Sequence, residues 1–201
     1  MLRKIILATE NIHKVQEFSN LIKKEDLQFI LPPSAAIPFP EETGNSFSEN
    51  AALKTLHIFE KTGKPSLADD SGLEVEYLKG APGIYSARYS KSGSSEDNIK
   101  KLLNKLSGID TIKRKAKFTC CIAYNKGNGE KPSIFEGSIE GYITESPSGN
   151  SGFGYDPIFF IPKKNKTLAM MAEEQKNEIS HRRLAIEKFL NNYKKNKKNN
   201  E

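Results

Sequence analysis

Apolar and polar positions alternate along this chain in two rhythms, one of about 3.6 residues and one of two, and the changes between them mark out the elements. Lys4 to Ala8 is a short apolar run that predicts a buried central strand. From Lys14 to Ile22 the residues Val15, Phe18, Leu21 and Ile22 share one stripe, which predicts a helix. Gln28 to Leu31 predicts a second strand, closed by Pro32-Pro33, and Ser34 to Gly44 a Pro-rich loop ending in Glu41-Glu42-Thr43-Gly44. Ser46 with Glu49 three residues on has the form of a capping box, opening a helix that runs to Thr62 and stops at Gly63. Ser66 to Asp69 predicts a strand running into an acidic turn, Asp69-Asp70-Ser71-Gly72, and Leu73 to Tyr77 alternates. Gly80 to Gly83 reads as a turn. Ser95 is placed to cap a helix carrying Ile99, Leu102, Leu103 and Leu106, stopped by Gly108. Phe118 to Tyr124 and Ser133 to Ile143 read as a long antiparallel pair joined across Asn125 to Gly129. Ser148 to Asp156 is a Gly-rich loop. Leu184, Ile186, Phe189, Leu190 and Tyr193 give a terminal helix from Ile179 to Tyr193.

Strands and helices alternate at the front and a hairpin sits behind, which predicts an α/β fold with a mixed sheet. The 201 residues fit one domain, 1–193, with room for two lobes around a cleft, followed by a basic tail at 194–201. With 36% hydrophobic residues, eleven Phe and seven Tyr, the chain has the material for a core. No apolar run approaches the ~20 residues that span a bilayer. The N-terminal apolar stretch is too short for a signal peptide and Glu10-Asn11 follow it at once, so a cytoplasmic protein is expected. Cys120 and Cys121 are strand neighbours pointing to opposite faces, poorly placed to bridge, and they read as small core side chains. The net charge of +6 raises the question of nucleic-acid binding, but Lys194, Lys195, Lys197 and Lys198 against Glu201 supply half of it. Such a tail reads as a solvated, frayed terminus.

Four groups of residues carry candidate chemistry. Thr9, Asn11 and Lys14 follow the first strand and open the first helix, where backbone N–H groups and a lysine favour an anion. The same segment is also an ordinary N-cap turn, with no Gly-rich phosphate loop. Glu42 and the pair Asp69-Asp70 form an acidic set; adjacent carboxylates repel, so they belong at the surface or on a cation. Magnesium suits a few carboxylates, with water and phosphate oxygens as its other ligands. In Ser151-Gly152-Phe153-Gly154-Tyr155-Asp156-Pro157, Phe153 can stack on a base and Asp156 can accept from a ring N–H; the alternative is a bulged loop with core aromatics. Lys176 to Arg182 opens the last helix with cations ill suited to a helix start, so they seek an anion or an acceptor. Arg182 can fork onto a carbonyl oxygen. The alternative is a solvated charged face.

Six strings in order resemble the inosine triphosphate pyrophosphatase family, also called Ham1-like or non-standard purine NTP pyrophosphatases. They are Ala8-Thr9-x-Asn11-x-x-Lys14-x-x-Glu17, Glu41 to Ala51, Ala68 to Val75, Gly80 to Tyr89, Gly152 to Phe159, and Lys176-Asn177-x-x-Ser180-His181-Arg182. The resemblance as a whole runs from about Lys4 to Leu190. The resemblance implies an elongated mixed sheet with flanking helices, two lobes around a nucleotide cleft, a homodimer, and Mg²⁺. It implies hydrolysis of ITP, dITP and XTP to the monophosphate and pyrophosphate, which cleanses the nucleotide pool. By matching motif, Asp70 is the proton acceptor and a metal ligand, and Glu42 a second metal carboxylate. Thr9, Asn11, Lys14 and Lys54 face the triphosphate, with Ser71 beside it. Phe153, Gly154, Tyr155, Asp156, Lys176, His181 and Arg182 belong to the base site. Arg88 lies in a matching string without an assigned role.

Two departures stand out. Glu10 replaces the usual Gly and is expected to point away from phosphate or to be compensated, and Ala169-Met170-Met171 replaces an Ala-Glu-Met string. Two rivals share some of these features. A Maf-type pyrophosphatase acting on other modified nucleotides lacks the Phe153-Gly154-Tyr155-Asp156 and Ser180-His181-Arg182 strings. A basic nucleic-acid-binding protein would concentrate its charge, whereas outside the tail the basic residues are interspersed with Glu and Asp. The expected partner is a small nucleotide, with neither nucleic acid nor membrane.

Overall fold

The computed structural model describes residues 3–9, 11–22, 27–32, 37–127 and 129–198, leaving out the side chains of Ile12, His13 and Lys198. Seven strands form one mixed sheet in the order β2-β1-β3-β4-β5-β6-β7. They are β1 (Arg3–Leu7), β2 (Leu27–Ile30), β3 (Ser66–Val75), β4 (Lys115–Asn125), β5 (Ser133–Ile143), β6 (Phe159–Ile161) and β7 (Lys166–Thr167). The helices are α1 (Ile12–Leu21), α2 (Phe47–Thr62), α3 (Ser95–Lys105), α4 (Glu173–Ile179) and α5 (His181–Lys198). Strand β1 pairs in parallel with β2 and with β3, whereas β6 pairs antiparallel with β5 and β7. Parallel neighbours need a crossover, and α1 and α2 lie in the two connections, as in α/β folds.

The chain divides into two compact units. One comprises Met1–Asp70, Cys120–Gly137 and Arg182–Glu201; the other comprises Ser71–Thr119 and Ser138–His181. The first unit fills two apolar clusters. Ile5, Leu7 and Leu67 pack with Phe18 of α1 and Ile186 and Phe189 of α5. Ile6, Ala8 and Ala68 pack with Ile58 of α2. Successive strand residues point to opposite faces, so β1 and β3 are apolar on both sides, as a covered parallel sheet requires. The second unit gathers Leu73, Val75, Leu102, Phe118, Ile143, Tyr155 and Phe159 around one core.

Helix α2 follows its sequence signals. The Ser46 hydroxyl accepts from the Glu49 N–H at 3.2 Å, and Gly63 ends the helix in the left-handed region at φ 63°. The Glu49 carboxylate accepts from the N–H of Asn45, not of Ser46, so the box closes one residue early. Cys120 and Cys121 are buried thiols on β4.

Three sequence expectations change. No acidic turn interrupts Asp69 to Gly72: β3 continues through them to Val75, because buried cations described below balance the carboxylates. Helix α3 is capped by Ser94 instead of Ser95, its hydroxyl accepting from the Asp97 N–H at 3.2 Å. The last helical stretch is two helices. Ser180, extended at φ −65° and ψ 147°, separates α4 from α5, and α5 continues past Tyr193 to Lys198. Glu10 and residues 199–201 lie outside the described residues. Among the described residues no helix is long and apolar enough to cross a membrane.

Candidate active site

In the first unit, neighbouring residues of β3 send two carboxylates to opposite faces. Asp69 faces α1 and α5. It is buried, with Lys14 Nζ at 3.0 Å from its Oδ2 and Arg182 Nε and Nη2 at 3.3 and 3.2 Å. Arg182 Nη1 also donates to the Glu17 carboxylate, so two acids and two bases share one buried network. Burial alone would raise the Asp69 pKa, but Lys14, Arg182 and Lys54 outweigh it and hold the carboxyl well below its ordinary range.

Asp70 faces α2. The buried stripe of that helix is Phe47, Asn50, Ala51, Lys54, Thr55 and Ile58, which places an amide and an ammonium among core positions. Asn50 Nδ2 donates to Asp70 Oδ2 at 3.1 Å. Lys54 Nζ lies 3.6 Å from Asp70 Oδ1 and donates to Glu42 Oε1 at 3.2 Å. Burial pushes the Asp70 pKa up; Lys54 opposes this, the nearby Glu42 adds to it, and the net shift is upward. For Lys54, burial alone would lower the pKa, but Asp70, Asp69 and Glu42 reverse the direction. Asp70 is therefore a carboxylate closer to accepting a proton than an ordinary one.

The convergence of Glu42 and Asp70 on one ammonium tests whether a metal fits. Two hard oxygen donors directed at a shared cation position match what Mg²⁺ takes from protein. Among the described residues no group of three or more His, Cys, Asp or Glu is placed to hold a metal, so phosphate and water oxygens would complete the shell.

Thr9 and Asn11 organise the start of α1. Thr9 Oγ1 accepts from the Asn11 N–H at 3.2 Å, and Asn11 Oδ1 accepts from the Lys14 N–H at 3.4 Å. This is the N-cap turn, and it occupies the N–H groups of Asn11 and Lys14 at the start of the helix. Ser71, next after Asp70, is half-buried.

The second unit holds the aromatic loop. Asp156 Oδ2 accepts from the Phe153 N–H at 2.9 Å and from Lys176 Nζ at 2.8 Å, and that ammonium lies 4.6 Å from the centre of the Phe153 ring. Asp156 and Lys176 are buried, whereas Phe153 is half-buried. Gly152 at φ 81° brings the backbone so close that a β-carbon would collide with the Asp156 carboxylate. Gly154 is also left-handed, at φ 59°. Tyr155 has turned inward: its hydroxyl donates to the Ser86 carbonyl at 2.9 Å within the core, so it supports the loop. The His181 ring stacks on Phe118 at 5.0 Å and 11°.

A model of the Ham1 family matches residues 5–192. This chain belongs to the Ham1 family. It is 44% identical over 191 residues to the dITP/XTP pyrophosphatase of Salmonella typhimurium, covering 94% of this chain and 97% of that protein. The identity to the dITP/XTP pyrophosphatase of Bacillus licheniformis is also 44%, over 94% of this chain and 96% of the other. Among solved structures, a HAM1 protein from Coxiella burnetii superposes with TM-score 0.89 at 40% identity, covering 97% of this chain and all of the other. The Staphylococcus aureus Ham1 protein gives 0.86 at 41%, with the same coverage.

In this Ham1 chain the structure draws the candidate residues into two groups, Glu42, Lys54 and Asp70 with Asn50, and Phe153, Asp156 and Lys176. Arg182, expected on a base carbonyl, has its guanidinium on Asp69 and Glu17. Two residues fall within the motif strings but carried no assigned role. Asn50 and Glu17 are polar side chains on the buried faces of helices, beside Ala51 and Phe18, and a polar residue interrupting an apolar stripe is the signal that marks them. Arg88 lies over the exposed ring of Tyr85 at 5.4 Å.

Proposed function

We propose that this Ham1 protein hydrolyses deaminated purine nucleoside triphosphates, namely dITP, XTP and ITP, to the monophosphate and pyrophosphate. The observation that carries the reading is the convergence of Glu42 and Asp70 on Lys54, in a chain 44% identical to proteins named dITP/XTP pyrophosphatase. Glu42 and Asp70 would hold Mg²⁺, which when bound neutralises phosphate charge and acidifies a coordinated water. Asp70 takes a proton from the attacking water as a bond forms to the α-phosphorus and the bond to the pyrophosphate oxygen breaks. Its raised pKa suits that task. Lys14 and Lys54, with the N–H groups at the start of α1, stabilise the charge on the phosphate oxygens, and Thr9, Asn11 and Ser71 complete that set.

Hypoxanthine and xanthine carry an acceptor at O6 and a donor at N1, and adenine reverses both. Lys176 supplies a donor, Asp156 an acceptor and Phe153 a stacking face, with Gly154 giving the backbone access. An adenine facing those groups leaves a buried donor unsatisfied, at about 1–3 kcal/mol. His181 and Arg182 stay with the base-reading group; Arg182 has five N–H donors and would share them with Asp69 and Glu17.

The reading extends to 1–193 as one functional domain with 194–201 a basic extension, acting as a homodimer in the cytoplasm. Sedimentation of the full chain tests the dimer, and removal of residues 194–201 with retained turnover tests the extension. The decisive experiment is pyrophosphate release from ITP, XTP, GTP and ATP, with Mg²⁺ and with EDTA, for wild type and Asp70→Asn. Metal-dependent turnover selective for ITP and XTP, abolished in the variant, is expected. Equal turnover of ATP and GTP would overturn the base-reading part, and, with a modified pyrimidine triphosphate added to the panel, turnover of that nucleotide alone would favour a Maf-type activity.

A further inference from the structure

Asn50 is wholly buried on the apolar stripe of α2, and both ends of its amide are engaged. Its Nδ2 donates to Asp70 Oδ2 at 3.1 Å, and its Oδ1 accepts from the Gly44 N–H at 2.8 Å. Gly44 stands two residues after Glu42, on the same loop. That approach is tight: a β-carbon on Gly44 would lie 2.7 Å from Asn50 Oδ1. Lys54, one turn further along α2 and on the same face, holds the other oxygen of Asp70 and the carboxylate of Glu42. The loop enters α2 directly through the Ser46 cap, so its end is fixed to the helix that carries the amide.

From this geometry we infer that Asn50 is a positioning residue for the reaction. It fixes the rotation of the Asp70 carboxylate and the seat of the Glu42 loop, so that the two carboxylates present one preformed donor pair. This rests on the reading of Asp70 and Glu42 given above. An ammonium alone would not do the same work. Lys54 is a point charge on a flexible stem that tolerates many carboxylate orientations, whereas a planar amide held at both ends admits one. Groups that orient metal-binding carboxylates in this way typically change metal affinity or activity by about 10- to 100-fold when removed.

The test uses the full-length protein with Asn50→Leu, which keeps the branched shape without the polar atoms, and Asn50→Ala, alongside Asp70→Asn. Three quantities are measured: kcat and KM for ITP at saturating Mg²⁺, the Mg²⁺ concentration giving half-maximal rate, and calorimetric binding of Mg²⁺ in the presence of an α,β-methylene analogue of ITP. Thermal melting scores the folded fraction. The expected result for the folded Asn50 variants is a kcat lower by about 10- to 100-fold with Mg²⁺ binding weakened in parallel, and a KM for ITP near that of wild type. Wild-type kcat and Mg²⁺ affinity per folded molecule in both variants would overturn the inference, as would a loss confined to KM. If Asp70→Asn is inactive while the Asn50 variants behave as wild type, only this inference falls. If Asp70→Asn itself turns over normally, the reading of Asp70 falls and the inference with it.

Discussion

Replacing Asp69 by Asn keeps the shape of the side chain and removes one charge from the buried network of Lys14, Glu17, Asp69 and Arg182. Breaking one side of a buried ion pair costs about 3–5 kcal/mol, because the partner is left with an uncompensated charge. Here two features favour the low end. Arg182 keeps Glu17, and the Lys14 side chain, 15% exposed, can turn toward water. The expected loss is therefore about 3 kcal/mol. A domain of this size shifts by roughly 2–4 °C per kcal/mol, so the melting temperature falls by roughly 6–12 °C. Thermal unfolding followed by circular dichroism at pH 7 measures it, and the difference changes little with added salt because the pairs are shielded from solvent ions. Arg182→Met and the double variant complete a cycle. Coupling of about 0.5–3 kcal/mol is expected, since the double variant no longer strands the arginine. A shift in Asp69→Asn below about 2 °C, or strictly additive single effects, would refute the account of the network.

The acid limb of stability follows from the same carboxyl. Its folded pKa is depressed, so its contribution is complete above the unfolded value of about 4 and is lost as pH falls below that. Urea midpoints between pH 6 and 3 should drop more steeply for wild type than for Asp69→Asn, and equal slopes would contradict the depressed pKa. Gly152→Ala forces a left-handed alanine against the Asp156 carboxylate and should raise KM for ITP while leaving kcat largely intact, whereas an unchanged KM would remove this loop from base recognition. Tyr155→Phe removes one of two donors to the Ser86 carbonyl, which keeps Asn98 Nδ2 at 3.4 Å, and should cost about 0.5–1.5 kcal/mol in melting experiments with unchanged kcat; a kcat loss without a stability loss would return Tyr155 to the substrate.

What was legible in the sequence was local. Ser46, Glu49 and Gly63 announce α2 through caps that form within four residues, and the apolar run of β1 announces itself by length. The joint order of the six motif strings points to the family. What was not legible depended on partners distant in the chain. Two adjacent aspartates followed by Ser71-Gly72 look like a turn until Arg182, 113 residues on, supplies the charge that lets them stay inside a strand. Ser180 separates α4 from α5 with no Gly or Pro to mark the place. Asn50 and Glu17 were hidden for a related reason. Their hydrogen-bond partners lie on other elements, and only the apolar stripe around them hints that they are buried.

The alternation of β3 has a consequence for which chain-length changes this protein tolerates. Asp69 and Asp70 differ in environment only because they differ in parity along a strand whose alignment is set upstream, where Ile6 and Leu7 of β1 lie opposite Ser66 and Leu67. A single-residue deletion or insertion between Leu67 and Asp69 would leave the composition almost intact but exchange the two carboxylates: the partner of the arginine would be turned toward the amide and ammonium of α2, and Asp70 would be sealed against α1 and α5. Two-residue changes would preserve parity and shift the acids along the strand. Indels in this segment should therefore be scored by whether their length is odd or even, a dependence that surface loops of the same protein should not show.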